Sequence, residues 1–104
     1  VGDILDGCML VLNKLDSSIG EIINIGNNVT HTTGEGIDLI QKILGKKAKF
    51  KMMPPRPGDQ QETSADITKA KSLLGYQPKV SLALGLEKEV KWYIEKIHKK
   101  ARAT

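Results

Sequence analysis

The feature that most limits this chain is Pro54-Pro55-Arg56-Pro57-Gly58-Asp59, set near its middle. Three prolines in four positions remove backbone donors and fix φ, so neither a helix nor a central strand can pass through. Whatever folds before this segment is joined to whatever folds after it by a stiff, solvent-facing connection. The whole chain has 104 residues, which leaves room for one small domain whose core sits near the lower limit for autonomous stability.

Ahead of the prolines, Ile4, Cys8, Val11 or Leu12, and Leu15 recur at helical spacing, with Asp3 where an N-cap belongs. Asp16-Ser17-Ser18 reads as a loop. Glu21-Ile22-Ile23-Asn24-Ile25-Gly26 is a β-branched run closed by glycine and predicts a buried strand. Thr32-Thr33-Gly34-Glu35 has the spacing of a capping box, in which hydroxyl and carboxylate satisfy each other's amides. The helix it opens points Ile37, Ile40, Ile43 and Leu44 inward and ends at Gly45. Gly34 and Gly36 weaken its start by about 1 kcal/mol each relative to alanine. Ala48 to Met53 reads as a second strand.

Beyond the prolines, Asp66 caps a short helix with Ile67, Ala70 and Leu74 inward, stopped by Gly75. Pro78 and Ser81 introduce a last helix with Leu82, Leu86, Val90, Tyr93 or Ile94, and Ile97 facing the core, and with Trp92 and Tyr93 packed on the body. The expected architecture is α/β: helix, strand, helix, strand, helix, helix. Its strand–helix–strand unit predicts a parallel pair with a right-handed crossover.

Composition excludes several functions. Aromatics make up 4% of the chain, so platforms for stacking nucleic-acid bases are scarce. The net charge of +4 is concentrated at Lys96, Lys99, Lys100 and Arg102, a pattern that suits a solvated helix end and its dipole. The reading is no nucleic acid, and no membrane, since no run approaches the roughly 20 apolar residues a span needs. Cys8 stands alone, which rules out an internal disulfide and a thiolate metal site and fits a reducing, cytoplasmic setting. On its apolar stripe it reads as a small core residue. His31 and His98 lack partners at metal-ligand spacing and read as surface residues.

The segment Arg56-Pro57-Gly58-Asp59 can carry chemistry. A planar guanidinium fixed past a strand's end can grip a diphosphate bidentately, and an acid three residues on can accept from a ribose hydroxyl. Equally, it is a rigid turn with a surface Arg–Asp pair, and the residues alone leave both open. Gly45-Lys46-Lys47 is no phosphate loop, because position 40 is Ile and position 47 is Lys. No glycine-rich dinucleotide motif follows either predicted strand. Tyr76 is followed four residues on by Val80, and Tyr93 by Ile97, so no Tyr-x-x-x-Lys pair is present and no catalytic residue is assigned.

Val1-Gly2-Asp3-Ile4-Leu5-Asp6-Gly7, Ile22-Ile23-Asn24-Ile25-Gly26 and Arg56-Pro57-Gly58-Asp59 occur in this order. Thr63-Ser64-Ala65-Asp66-Ile67-Thr68-Lys69-Ala70-Lys71, Leu73-Leu74-Gly75-Tyr76-Gln77-Pro78, and Gly85-Leu86 before Trp92-Tyr93 follow them. Together they resemble the C-terminal part of extended short-chain dehydrogenases/reductases acting on nucleotide sugars, above all UDP-glucose and UDP-glucuronate 4-epimerases. The resemblance covers nearly the whole chain. It implies that residues 1–104 are a C-terminal nucleotide-sugar-binding domain, inactive alone, whose partner is an N-terminal Rossmann domain carrying NAD and the Tyr-x-x-x-Lys pair. It further implies a homodimeric parent and transient oxidation of the UDP-sugar at C4 by NAD, with return of hydride to the other face. By resemblance, Arg56 contacts the diphosphate, Asp59 lies near the ribose, and Thr33 sits beside the nucleotide. Asn24, Gly26, Thr63 and Asp66 are structural. A 4,6-dehydratase or a decarboxylase of the same family, and a stand-alone binding module, are the alternatives. Gly2 stands where the family usually has Asp, and Ala83 and Leu84 where a Glu is common.

Overall fold

The computed structural model describes residues 1–99. It contains α1 (Gly2–Asn13), α2 (Leu15–Ser18), α3 (Thr33–Leu44), α4 (Thr68–Leu74) and α5 (Leu82–Tyr93), the last continued by a wider π-type turn, Ile94–His98. The expected α/β architecture is not found: among the described residues no strand forms. Glu21 to Gly26 and Ala48 to Met53 both run without regular structure. β-branched composition marks a segment that fits a sheet, but a ladder also needs a neighbouring backbone. Neither run has one. The Ala48 amide donates instead to the side-chain Oε1 of Gln41 at 2.7 Å.

Two compact units result, the first from Val1–Thr30 and Gly58–Val80, the second from His31–Pro57 and the chain from Ser81 onward. The first unit is built on α4. Ile67, Ala70, Leu74 and Tyr76 are fully buried, as the spacing of the first three predicts, and Leu10, Val11, Ile23, Ile25, Ala65 and Leu73 pack around them. Gly75, at φ 70°, ends α4 in the left-handed region, and the Tyr76 amide then reaches back to the Ala70 carbonyl at 3.2 Å. That reversal turns the Tyr76 ring inward, where its hydroxyl donates to the Gly26 carbonyl at 2.9 Å. Burial of the ring pushes the phenol's pKa up. Glu21 and Lys69 form an ion pair beside this core.

Several local expectations fail in this unit. Asp3 does not cap α1, because the helix starts two residues earlier, with Val1 at its N-cap. Its carboxylate instead accepts from the amides of Lys79 and Val80, each at 3.0 Å. Those two amides hold its pKa below the ordinary carboxylate value, Lys79 contributing most. Asp16-Ser17-Ser18 belongs to α2, whose Ser18 is buried and donates to the Lys14 carbonyl at 2.9 Å. The inward side of α1 is Gly7, Leu10 and Val11, whereas Cys8 is exposed. Gly7 explains the rotation: an added Cβ would lie 2.8 Å from Ile25 Cδ1, so this is the side on which the chain packs most closely.

In the second unit α3 packs against α5. Ile37 and Ile40 on α3, and Leu82, Leu86 and Val90 on α5, are half-buried, and no described residue of the unit is fully buried. Ser81 caps α5 by accepting from the Leu84 amide at 3.2 Å. The inward reading ends at Val90, because Trp92, Tyr93, Ile94 and Ile97 are all exposed. Of the basic terminal run, Lys100 and Arg102 lie outside the described residues.

Candidate functional site

Thr33 is the first residue of α3, and the capping box predicted there forms. The Thr32 hydroxyl accepts from the Glu35 amide at 3.1 Å, and Glu35 Oε2 accepts from the Thr32 amide at 3.2 Å. The same Oε2 lies 3.0 Å from His31 Nδ1. His31 is thus tied to the start of α3, a contact visible in sequence as the i,i+4 spacing to Glu35. The box fixes the backbone at Thr33 and leaves its side chain exposed. The Thr33 hydroxyl makes no hydrogen bond among the described residues.

Arg56 follows two prolines and is exposed. Gly58 then takes φ 85°, a conformation that L side chains rarely adopt and that makes the turn specific to glycine. Asp59, the next residue in sequence, is exposed. Arg56 lies in the second unit and Asp59 in the first, joined by the two-residue link Pro57-Gly58.

Residues expected to be structural carry a tight junction in the first unit. At Gly26 an added Cβ would fall 2.9 Å from the Ala65 Cβ, and the Ala65 amide donates to the Asn27 carbonyl at 3.4 Å. Asp66 accepts from the Thr68 amide at 3.0 Å, and bonds from the Thr68 side chain and amide depress its pKa. It therefore serves the first turn of α4, one position before the residue at which that helix begins to be capped. Between these walls opens a cleft of about 470 Å³, lined by Asn24, Asn27, Thr63, Ser64 and Asp66 among others. Sequence reasoning gave Asn24 and Thr63 no ligand role. The signal for the cleft was the pair of walls, and only long-range contacts bring them together. Among the described residues no cluster of His, Cys, Asp and Glu could hold a metal, and no helix is long and apolar enough to cross a membrane.

No family model matches the chain. Its similarity to individual proteins is extensive. It superimposes on the UDP-glucuronic acid 4-epimerase of Bacillus cereus, solved in complex with UDP-glucuronic acid and NAD, with a TM-score of 0.82. The match has 37% identity and covers 90% of this chain and 30% of that one. UDP-glucuronate 4-epimerase 5 of Arabidopsis thaliana is 39% identical over 106 residues, 90% of this chain and 24% of the relative. UDP-glucuronic acid decarboxylase 1 of Danio rerio is 32% identical over 101 residues, 97% of this chain and 23% of the relative. The chain thus spans less than a third of the length of the proteins it matches.

The fold and these matches place the chain as homologous to one part of the NAD-dependent nucleotide-sugar enzymes of the extended short-chain dehydrogenase/reductase type. Within that group its relatives and structural neighbours include UDP-glucuronate 4-epimerases from plants and bacteria.

Proposed function

We propose that this chain is the nucleotide-sugar-binding part of a UDP-sugar 4-epimerase, completed by an N-terminal Rossmann domain that binds NAD and supplies the Tyr-x-x-x-Lys pair. The observation that carries the reading is the Arg56-Pro57-Gly58-Asp59 turn, exposed and locked by a left-handed glycine, in a chain 37% identical to an epimerase solved with UDP-glucuronic acid. Two prolines before Arg56 and one after it limit the backbone entropy lost when the guanidinium engages a diphosphate. Asp59 would accept from the ribose, and Thr33 would stand beside the nucleotide at the capped start of α3. These residues bind and orient; they move no proton.

NAD does not fit the residues of this chain. No glycine-rich strand–turn–helix cradle is present in it, so no residue here is assigned to the cofactor. The cofactor's chemistry belongs to the proposed partner domain, and the parent is read as a homodimer.

The test is Arg56→Ala in the full-length enzyme, with UDP-glucuronic acid binding measured by calorimetry. A charged hydrogen-bonding group of this kind contributes about 1.5–3 kcal/mol, so affinity should fall at least tenfold. Unchanged affinity removes Arg56 from the site. A decarboxylase is the second reading, favoured by the 32% identity to such an enzyme. Product analysis separates the two, since epimerisation keeps the carboxylate and decarboxylation releases carbon dioxide.

A further inference from the structure

A second concentration of positive charge lies in mid-chain. Between Asp38 and Asp59 the sequence holds Lys42, Lys46, Lys47, Lys49, Lys51 and Arg56, and no acid. All of these cations are exposed, and all belong to the second unit. His31–Glu35 and Glu21–Lys69 pair elsewhere, and among the described residues no acid pairs with Lys46, Lys47, Lys49 or Lys51. Uncompensated like charges repel one another and oppose compaction. The C-terminal dipole of α3 offsets this at Lys42, Lys46 and Lys47, which flank its end at Leu44. It does not account for Lys49 and Lys51, five and seven positions past that end.

The row leads to Arg56. Lys51 stands five positions before it and Lys49 seven, spans of at most about 18 Å and 25 Å in an extended chain. Pro54 and Pro55 stiffen the connection. The Debye length is about 8 Å at physiological salt and about 30 Å at 0.01 M. The field of these lysines therefore reaches Arg56 in full at low salt and partly screened in the cell. Clustered charge of one sign speeds the arrival of an opposite charge without touching it once bound. Aromatics at 4% of the chain deny a nucleic acid its stacking platforms, which favours a small anion as the guest.

Resting on the reading of Arg56 as the diphosphate contact, we propose that Lys46, Lys47, Lys49 and Lys51 steer the anionic nucleotide sugar toward Arg56. The row favours a sugar that carries a carboxylate besides its diphosphate over one that does not, because the pull grows with the charge of the guest.

The test is stopped-flow binding of UDP-glucuronic acid and UDP-glucose to the full-length enzyme with Lys46→Gln, Lys47→Gln, Lys49→Gln and Lys51→Gln combined. At about 0.01 M salt the association rate of UDP-glucuronic acid should fall about tenfold, the low end of what steering supplies, with dissociation unchanged. UDP-glucose, lacking the carboxylate, should lose less. At about 1 M salt, where the Debye length is about 3 Å, both losses should vanish. Removing the same number of charges in and after α5, at Lys88, Lys91, Lys96 and Lys99, should change the rate less than about twofold, with circular dichroism confirming that both variants stay folded. An unchanged association rate, faster dissociation, or an equal loss in the α5 variant would each overturn the assignment. Duplex DNA is the competing polyanion: a lysine variant that loses DNA binding but keeps the sugar's association rate hands the row to nucleic acid. If Arg56→Ala leaves UDP-glucuronic acid binding intact, the reading of the site fails and this inference with it. If it weakens binding while the lysine variant associates as fast as the parent, the steering alone fails.

Discussion

Replacing Gly7 by alanine sets two opposed effects against each other, and the close packing around it decides the sign. An alanine in a helix interior is favoured over glycine by about 1 kcal/mol. Against this, the new Cβ would stand 2.8 Å from Ile25 Cδ1, 3.0 Å from Ile25 Cγ2 and 3.4 Å from Tyr76 Cε2. Ile25 Cδ1 is a chain end that can turn aside. Its Cγ2 sits on the branch point, and moving it requires a χ1 change within the packed core. Overpacking of this kind costs about 1–3 kcal/mol, so the net expectation is a loss of up to about 2 kcal/mol. With a urea slope of roughly 1 kcal/mol per molar, a net loss of about 1 kcal/mol lowers the midpoint by about 1 M. Urea unfolding is followed through the NMR amide signals of Ala70 and Leu74, which report on this core and not on the second unit. Gly36→Ala is the matched control: it lies in α3, where an added Cβ meets nothing within 4 Å, so it should stabilise the second unit by about 0.5–1 kcal/mol. If Gly7→Ala stabilised its unit to the same degree as the control, the claim that α1 rests on Ile25 and Tyr76 through Gly7 would be wrong.

Two further outcomes follow from side chains that bond far along the sequence. Tyr76→Phe leaves the Gly26 carbonyl without its donor and should cost about 1–2 kcal/mol in the same urea assay; a neutral or stabilising result would mean that solvent satisfies that carbonyl. Asp3 has a folded pKa below its ordinary value, so its stabilisation is complete above about pH 3.9, the ordinary carboxylate value, and is lost as pH falls through the depressed one. Asp3→Asn should therefore unfold at lower urea than the parent near pH 7, with the gap closing in acid; a gap independent of pH would show that the charge on Asp3 plays no part.

Much of the helical pattern was legible because its signals are local. Thr32 and Glu35 specify a helix start by three-residue spacing alone, and glycine at positions 45 and 75 specifies an end because the left-handed backbone favours it. Ile67, Ala70 and Leu74 predict their own burial through one period of α4. The strands were misread because a β-branched run records a preference for a sheet without supplying the neighbour. Ile23 and Ile25 pack against the core formed by α4 and Tyr76, while Ile22, expected to be buried with them, is 87% exposed. The side-chain pattern of a strand is thus present without its hydrogen bonds. The core face of α1 was misassigned for a related reason. Both sides of that helix are apolar, and the period alone cannot choose between them; Gly7, with no side chain to mark it as interior, makes the choice through close approach.

The same contrast separates the legible from the illegible parts of the site. The turn at Arg56 could be read directly, because proline and glycine dictate its backbone without help from elsewhere in the chain. The cleft walled by Asn24 and Thr63 could not, since its walls come from two segments far apart in sequence, joined where the Ala65 amide donates to the Asn27 carbonyl. Asp3 sharpens the point. By position it looks like an ordinary helix cap, yet it binds amides seventy-six and seventy-seven residues away, at the segment leading into Ser81 and α5. A residue that serves its own helix can be recognised from its neighbours in sequence; one that joins segments far apart in the chain can be recognised only when the fold has brought them together.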